Sequence, residues 1–120
     1  MQNTFMKFSR ELIKGSTKSL ILAVLLDGEL YGYQIVKSIM DKSGNELAFG
    51  EGSIYPALHS LEKDGFLTSR WLKQTDNPDR KYYSLTRKGK RVLKANIKEW
   101  QEFSAAVNKV FHGVDNFSVT

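Results

Sequence analysis

From Leu93 onward, apolar residues return in alternating steps of four and three: Leu93, Ile97, Trp100, then past Ser104 to Val107, Phe111 and Val114. That spacing is a heptad seam over about three repeats, the pattern of a helix that packs lengthwise against another helix. Phe103 and Val110 widen it. A helix with so wide an apolar stripe needs something to cover it. The chain has 120 residues, enough for one small domain with or without a tail. Such a domain has little surface to spare for this task, so a second copy of the chain is the natural partner.

The residues before the seam read as short elements. Phe5, Phe8, Leu12 and Ile13 have helical spacing over residues 5–14. Leu20 to Leu26 is apolar nearly all round. Periodicity alone admits a buried strand there, but the leucines and alanine favour a helix, capped by Ser16 or Thr17 and ended at Asp27-Gly28-Glu29. A second helix is expected from about Tyr31 to Lys42, with Ile35, Val36 and Ile39 inward. A third runs from Glu51–Ser53 to Asp64, with Pro56 in or near its first turn and Gly65 closing it. Phe66 to Leu72 and Lys81 to Thr86 alternate as two strands around a polar loop, Lys73 to Arg80. Thr86 can cap the last helix, which ends near His112.

Three helices followed by a two-stranded ribbon describe a winged helix-turn-helix. The expected fold is mainly α with a two-stranded wing (α+β). Residues 1–86 would form the winged helix-turn-helix with an N-terminal helical extension, residues 87–112 a C-terminal dimerisation helix, and residues 113–120 a tail. Charge points the same way. Lys and Arg exceed Asp and Glu by 5, and the excess lies wholly in residues 61–120. Segment 61–94 has ten basic and four acidic residues, net +6, which suits a polyanion such as nucleic acid and equally a solvated basic surface.

Several blocks, in this order, resemble the PadR family of bacterial transcriptional regulators. They are Lys14-Gly15, Leu20-Ile21-Leu22, Tyr31-Gly32-Tyr33-Gln34-Ile35, Gly52-Ser53-Ile54-Tyr55-Pro56-Ala57-Leu58, Leu61-Glu62-Lys63-Asp64-Gly65 and Arg80-Lys81-Tyr82-Tyr83-Ser84-Leu85-Thr86-Arg87-Lys88-Gly89. The similarity runs from about residue 12 to 112, and the single helix after the wing resembles the family's small subgroup. Where family wings often carry glycine before the basic pair, this chain has Asn77-Pro78-Asp79.

On the third helix at 100° per residue, Ile54, Ala57, Leu58 and Leu61 share one face; Gly52, Pro56, His59 and Lys63 lie opposite, flanked by Tyr55 and Ser60. An ordinary surface helix has the same layout. The resemblance makes it a recognition helix. Ser53, Tyr55 and Lys63 are then candidates for phosphates and His59 for a base edge, since the face lacks an arginine to read guanine. Arg80 and Lys81, with Lys73, would meet flanking backbone or minor groove, while Asp76 and Asp79 would repel it. Tyr33, like Tyr31, suits a phosphate or a packing role equally. The resemblance also implies a homodimer joined through the first and last helices, with Leu12, Leu93, Ile97, Trp100, Val107 and Phe111 at the interface. It further implies a slot at Trp100, Phe103 and Ser104 able to stack on a planar aromatic small molecule; plain interface packing is the other role for Trp100.

Other chemistry has little support. With no cysteine there is no disulfide, thiolate metal site or cysteine nucleophile. His59 and His112 lack metal-ligand spacing, and no glycine-rich phosphate loop is present. No apolar run approaches the roughly 20 residues of a membrane span, and the N-terminus lacks signal-peptide character. The expectation is a cytoplasmic, non-enzymatic regulator without metal or cofactor: a dimer that binds operator double-stranded DNA, acts as a repressor and is released by a small aromatic ligand. The alternative is a winged-helix protein-interaction module without sequence-specific DNA binding.

Overall fold

The computed structural model describes residues 7–114. Phe5 and the tail beyond Val114, both read above, lie outside the described residues. Seven elements follow in order: α1 (Arg10–Val24), β1 (Leu30–Tyr31), α2 (Gly32–Lys42), α3 (Glu51–Lys63), β2 (Leu67–Leu72), β3 (Arg80–Leu85) and α4 (Arg87–His112). The fold is the expected α+β winged helix.

The first surprise is α1, which is one helix where the sequence suggested two. Ser9 caps it, its hydroxyl accepting the Leu12 N–H at 3.4 Å. Ser16 and Thr17 therefore do not cap anything. Their hydroxyls donate back to carbonyls one turn earlier, Ser16 to Leu12 at 3.3 Å and Thr17 to Ile13 at 2.8 Å. Back-bonding of this kind lets a hydroxyl residue sit mid-helix. Pro56 is the sixth residue of α3, just past the first turn. Having no N–H, it leaves the Gly52 carbonyl without its helical donor.

The wing is a three-stranded antiparallel sheet of order β1-β3-β2. The two-residue β1 pairs Leu30 with Tyr83 and Tyr31 with Tyr82, ahead of a helix expected to start at Tyr31 itself. Two residues are too few to show alternation. β2 and β3 run in register from Leu67↔Leu85 to Leu72↔Arg80. Strand period two then sends Leu67, Ser69, Trp71, Lys81, Tyr83 and Leu85 to one face, and Arg70, Arg80 and Tyr82 to the other.

The core gathers Ile21 and Leu22 of α1 with its C-cap Leu25, Ile35 and Ile39 of α2, Ile54, Leu58 and Leu61 of α3, and Tyr83. Leu93 joins them and is only 4% exposed. That corrects its place in the seam: a side chain spent on its own domain's core has little left for a partner. α4 is rooted there by three further contacts. Thr86 accepts the Gly89 N–H at 2.9 Å and donates to the Gly65 carbonyl at 2.7 Å. Asn96 donates to Ser19 of α1 at 3.0 Å. Past Asn96 the helix projects, giving extents of 63 × 36 × 21 Å. Among the described residues no helix is long and apolar enough to cross a membrane.

Two glycines make opposite predictions. A Cβ on Gly89 would lie 2.1 Å from the Phe66 carbonyl oxygen, so backbone must move. Gly89→Ala should destabilise by about 2 kcal/mol, the cost of overpacking. Gly15 sits inside α1, where an added methyl group would meet nothing within 4 Å. Gly15→Ala should stabilise by about 0.5–1 kcal/mol. Urea unfolding at one protein concentration checks both signs.

Candidate nucleic-acid interface

α3 buries Ile54, Leu58 and Leu61 and leaves Gly52, Ser53, Pro56, His59 and Lys63 exposed. The apolar back and open front expected for this helix are therefore both present. Its two flanks differ. On one, the Tyr55 ring covers Gly32, where a Cβ would come within 2.4 Å of the phenol oxygen. Glycine at the start of α2 is what lets the two helices meet so closely. The Tyr55 hydroxyl donates to Glu51 at 3.2 Å. Burial first, and then the Glu51 carboxylate, raise the phenol above its ordinary 10.0. Tyr55 is thus a docked side chain, not a free one. Tyr33, in the first turn of α2, is exposed.

On the other flank Ser60 is half-buried and accepts a hydrogen bond from the Lys18 ammonium of α1 at 2.9 Å. Lys14 and Arg10 precede Lys18 at four-residue intervals, all exposed. The sequence hides these three cations because residues 1–60 balance to zero charge. The signal was their spacing, visible once residues 10–24 are known to be a single helix.

In the wing, Arg80 and Lys81 point to opposite faces. The Arg80 guanidinium lies over the Tyr31 ring, 4.5 Å from its centroid. Tyr31 meets Tyr82 edge-on at 5.4 Å. Arg70 lies over Tyr82 at 5.7 Å and holds Glu29 through both its Nε, at 2.9 Å, and Nη2, at 2.5 Å. This ladder fastens the outer wing face to the turn before β1. The Arg70 hydrogen bond also holds the Glu29 carboxyl below its ordinary 4.5. Lys81, on the inner face, pairs with Glu62 of α3 at 3.6 Å, and Ser69 donates to the same carboxylate at 2.5 Å. At the tip, Asp79 accepts the Gln74 N–H at 3.2 Å, so this carboxylate closes the loop.

Trp100 and Phe103 lie on the projecting part of α4, 58% and 61% exposed; Ser104 beside them donates to the Gln101 carbonyl at 3.2 Å. Ile97 and Phe111 are exposed on the same helix, Val107 is half-buried, and Leu12 is exposed on α1. Among the described residues no group of three His, Asp or Glu side chains could hold a metal ion.

A family profile described as the transcriptional regulator PadR-like family matches residues 21–95. A transcriptional regulator from Clostridium thermocellum has the same fold, with a TM-score of 0.78 and 32% identity, covering 85% of this chain and 96% of that one. A PadR family transcriptional regulator from Eggerthella lenta gives 0.74 and 33%, covering 84% and 86%. The negative transcriptional regulator PadR of Bacillus subtilis is 37% identical over 76 residues, 63% of this chain and 42% of that protein. Its crystal structure in complex with operator DNA matches with a TM-score of 0.61 and 35% identity, over 67% of this chain and 45% of that one.

Proposed function

The chain belongs to the PadR-like family of transcriptional regulators, and from that premise we propose that it is a homodimeric repressor that seats α3 in the major groove of its operator. The observation that carries this reading is the geometry of α3. Its back is fixed in the core by three buried residues, and its front, from Gly52 through Pro56 and His59 to Lys63, is open along its length. The kinship with a negative regulator that has been crystallised on operator DNA supports the same reading.

In this reading Lys63 and Ser53 hold phosphates, as do Tyr33 at the start of α2 and Ser60 on the flank, and His59 meets a base edge. Arg80, pre-oriented by Tyr31, meets the backbone beside the wing. Lys81 contributes less than its charge suggests, because Glu62 partly neutralises it. Tyr55 acts chiefly by fixing α2 against α3. Binding to a labelled duplex from upstream of its own gene should weaken steeply with salt. Lys63→Ala and Arg80→Ala should each flatten the log–log slope by about 0.9. Unchanged slopes in both would remove these side chains from the interface, and no binding at all would favour a protein-interaction role.

The dimer we propose uses the exposed stripe of α4, Ile97, Trp100, Val107 and Phe111, together with Leu12 of α1. Two α3 helices would then reach successive major grooves roughly 34 Å apart. Ile97→Glu with Phe111→Glu replaces two exposed apolar side chains outside the core. The doubly substituted chain should stay folded, become monomeric in light scattering and lose most of its operator affinity. A stable dimer from it would contradict the arrangement.

Trp100 and its symmetry mate, with Phe103 and the small Ser104, would bound a slot for a planar aromatic ligand that shifts one dimer geometry toward another. The chain has two tryptophans, Trp71 and Trp100. Planar aromatics should quench fluorescence in Trp71→Phe as in the unaltered chain and fail to do so in Trp100→Phe. Quenching that follows Trp71 would make Trp100 purely structural.

A further inference from the structure

We propose that the groove between α1 and α3 is a second seat for the DNA backbone, where Arg10, Lys14 and Lys18 hold the phosphates of the strand on that side of α3. This rests on the reading of α3 given above and extends it to a helix outside the helix-turn-helix and the wing.

The groove has a volume of about 910 Å³, and its apolar lining includes Ile13 of α1 with Phe8, Phe49 and Ala57. Its charged lining is Arg10, Lys14 and Lys18, with no carboxylate. Residues four apart fall on nearly the same side of a helix, about 6 Å apart along the axis. A DNA strand presents one charge per about 3.4 Å of its axis, so a row on this scale can meet several phosphates. The same side of α1 continues into Ile21 and the C-cap Leu25, which are buried. The row is thus the part of the core-facing side that overhangs α3 beyond the core.

These cations are not committed elsewhere. Among the described residues the ion pairs are Lys7–Glu46, Lys37–Asp41, Arg70–Glu29 and Lys81–Glu62. None uses the α1 row. Lys18 rests on a neutral hydroxyl, that of Ser60. Two prominent wing cations, by contrast, carry carboxylate partners.

Continuity selects the occupant. Ser53 and Pro56 line the groove and also belong to the exposed side of α3. A duplex that takes α3 into its major groove brings one backbone along each flank of the helix. The flank with three uncompensated cations is the one facing α1. Leu12 lies about 160° round α1 from Lys14, so a dimer contact through Leu12 leaves the row open.

The test uses the full chain and a random-sequence DNA duplex, because phosphate contacts are independent of sequence. Anisotropy is followed from about 50 to 200 mM KCl. Arg10→Gln with Lys14→Gln should flatten the log–log slope by about 1.8, and adding Lys18→Gln should bring the loss to about 2.7. Arg10→Lys with Lys14→Arg should keep the original slope, since only charge is needed. Circular dichroism confirms folding of each variant. A triple variant with the original slope overturns the groove assignment and leaves α3 in place. If that variant keeps the original DNA slope and loses binding to poly-glutamate, the groove serves an acidic protein segment in place of DNA. An unaltered chain that binds no duplex at low salt overturns both this proposal and the reading of α3.

Discussion

The side chains of the wing are oriented by the central strand β3. Tyr83, 1% exposed, is pinned between Leu30 of β1 and Ser69 of β2 and closes over the core beneath α3. With that side chain inside, strand alternation leaves no freedom to its neighbours. Lys81 must face α3, where Glu62 receives it. Tyr82 and Arg80 must face out, where the Tyr31 ring meets Tyr82 edge-on and lies under the Arg80 guanidinium. A slip of one residue would place Tyr83 in water and two charged or polar groups in the core. The register of one strand therefore decides which wing cations are free and which are tied to α3.

Much of this was legible beforehand, and the reasons are local. Thr86 three residues before Gly89, Gly65 after a helical run, and the alternation of β2 and β3 are short-range signals, and each element ended close to where they said. The back of α3 was equally plain from its 3.6-residue period. What escaped was either ambiguous locally or dependent on partners distant in sequence. Ser16 and Thr17 read as caps because a hydroxyl that bonds backwards looks the same in sequence as one that bonds forwards. β1 exists only because β3 is there to pair with it. Leu93 fits the heptad perfectly well, yet the core reached it first. The front of α3 was legible as a surface; which of its flanks is basic was not.

Charge shows the same gap between sequence and space. The basic segment 61–94 stands out by its net +6, but position alone decides how much of that charge a polyanion can use. Arg70 and Lys81 each face a carboxylate, and exposed ion pairs of this kind return little stability while lowering the local potential. The N-terminal half sums to zero and still presents three cations in a row, because four of its six acidic residues are engaged elsewhere, Glu29 on Arg70, Glu46 on Lys7, Asp41 on Lys37 and Glu51 on Tyr55, and Glu11, on α1 itself, forms no ion pair with the row. Net charge per segment is thus a weak guide in a domain where every helix has an inside and an outside.

α4 joins the two ends of the molecule mechanically. Its first turns are held at Thr86, Gly89, Leu93 and Asn96 against β3, α1 and the turn before β2, so they cannot tilt without disturbing β3, α1 and the Phe66 carbonyl together. Its remaining turns carry exposed aromatics and touch little of their own domain. A continuous helix is stiff over this length, about 39 Å for 26 residues. Any partner that grips the free half therefore orients the domain at the other end, α3 included. In the dimeric reading, a ligand at Trp100 needs no path through the core to alter DNA binding. In that proposed dimer a small change in the angle between two such helices would be carried to the α3 pair as a change in their separation. The close fit of Gly89 against Phe66 is what makes the lever rigid at its root.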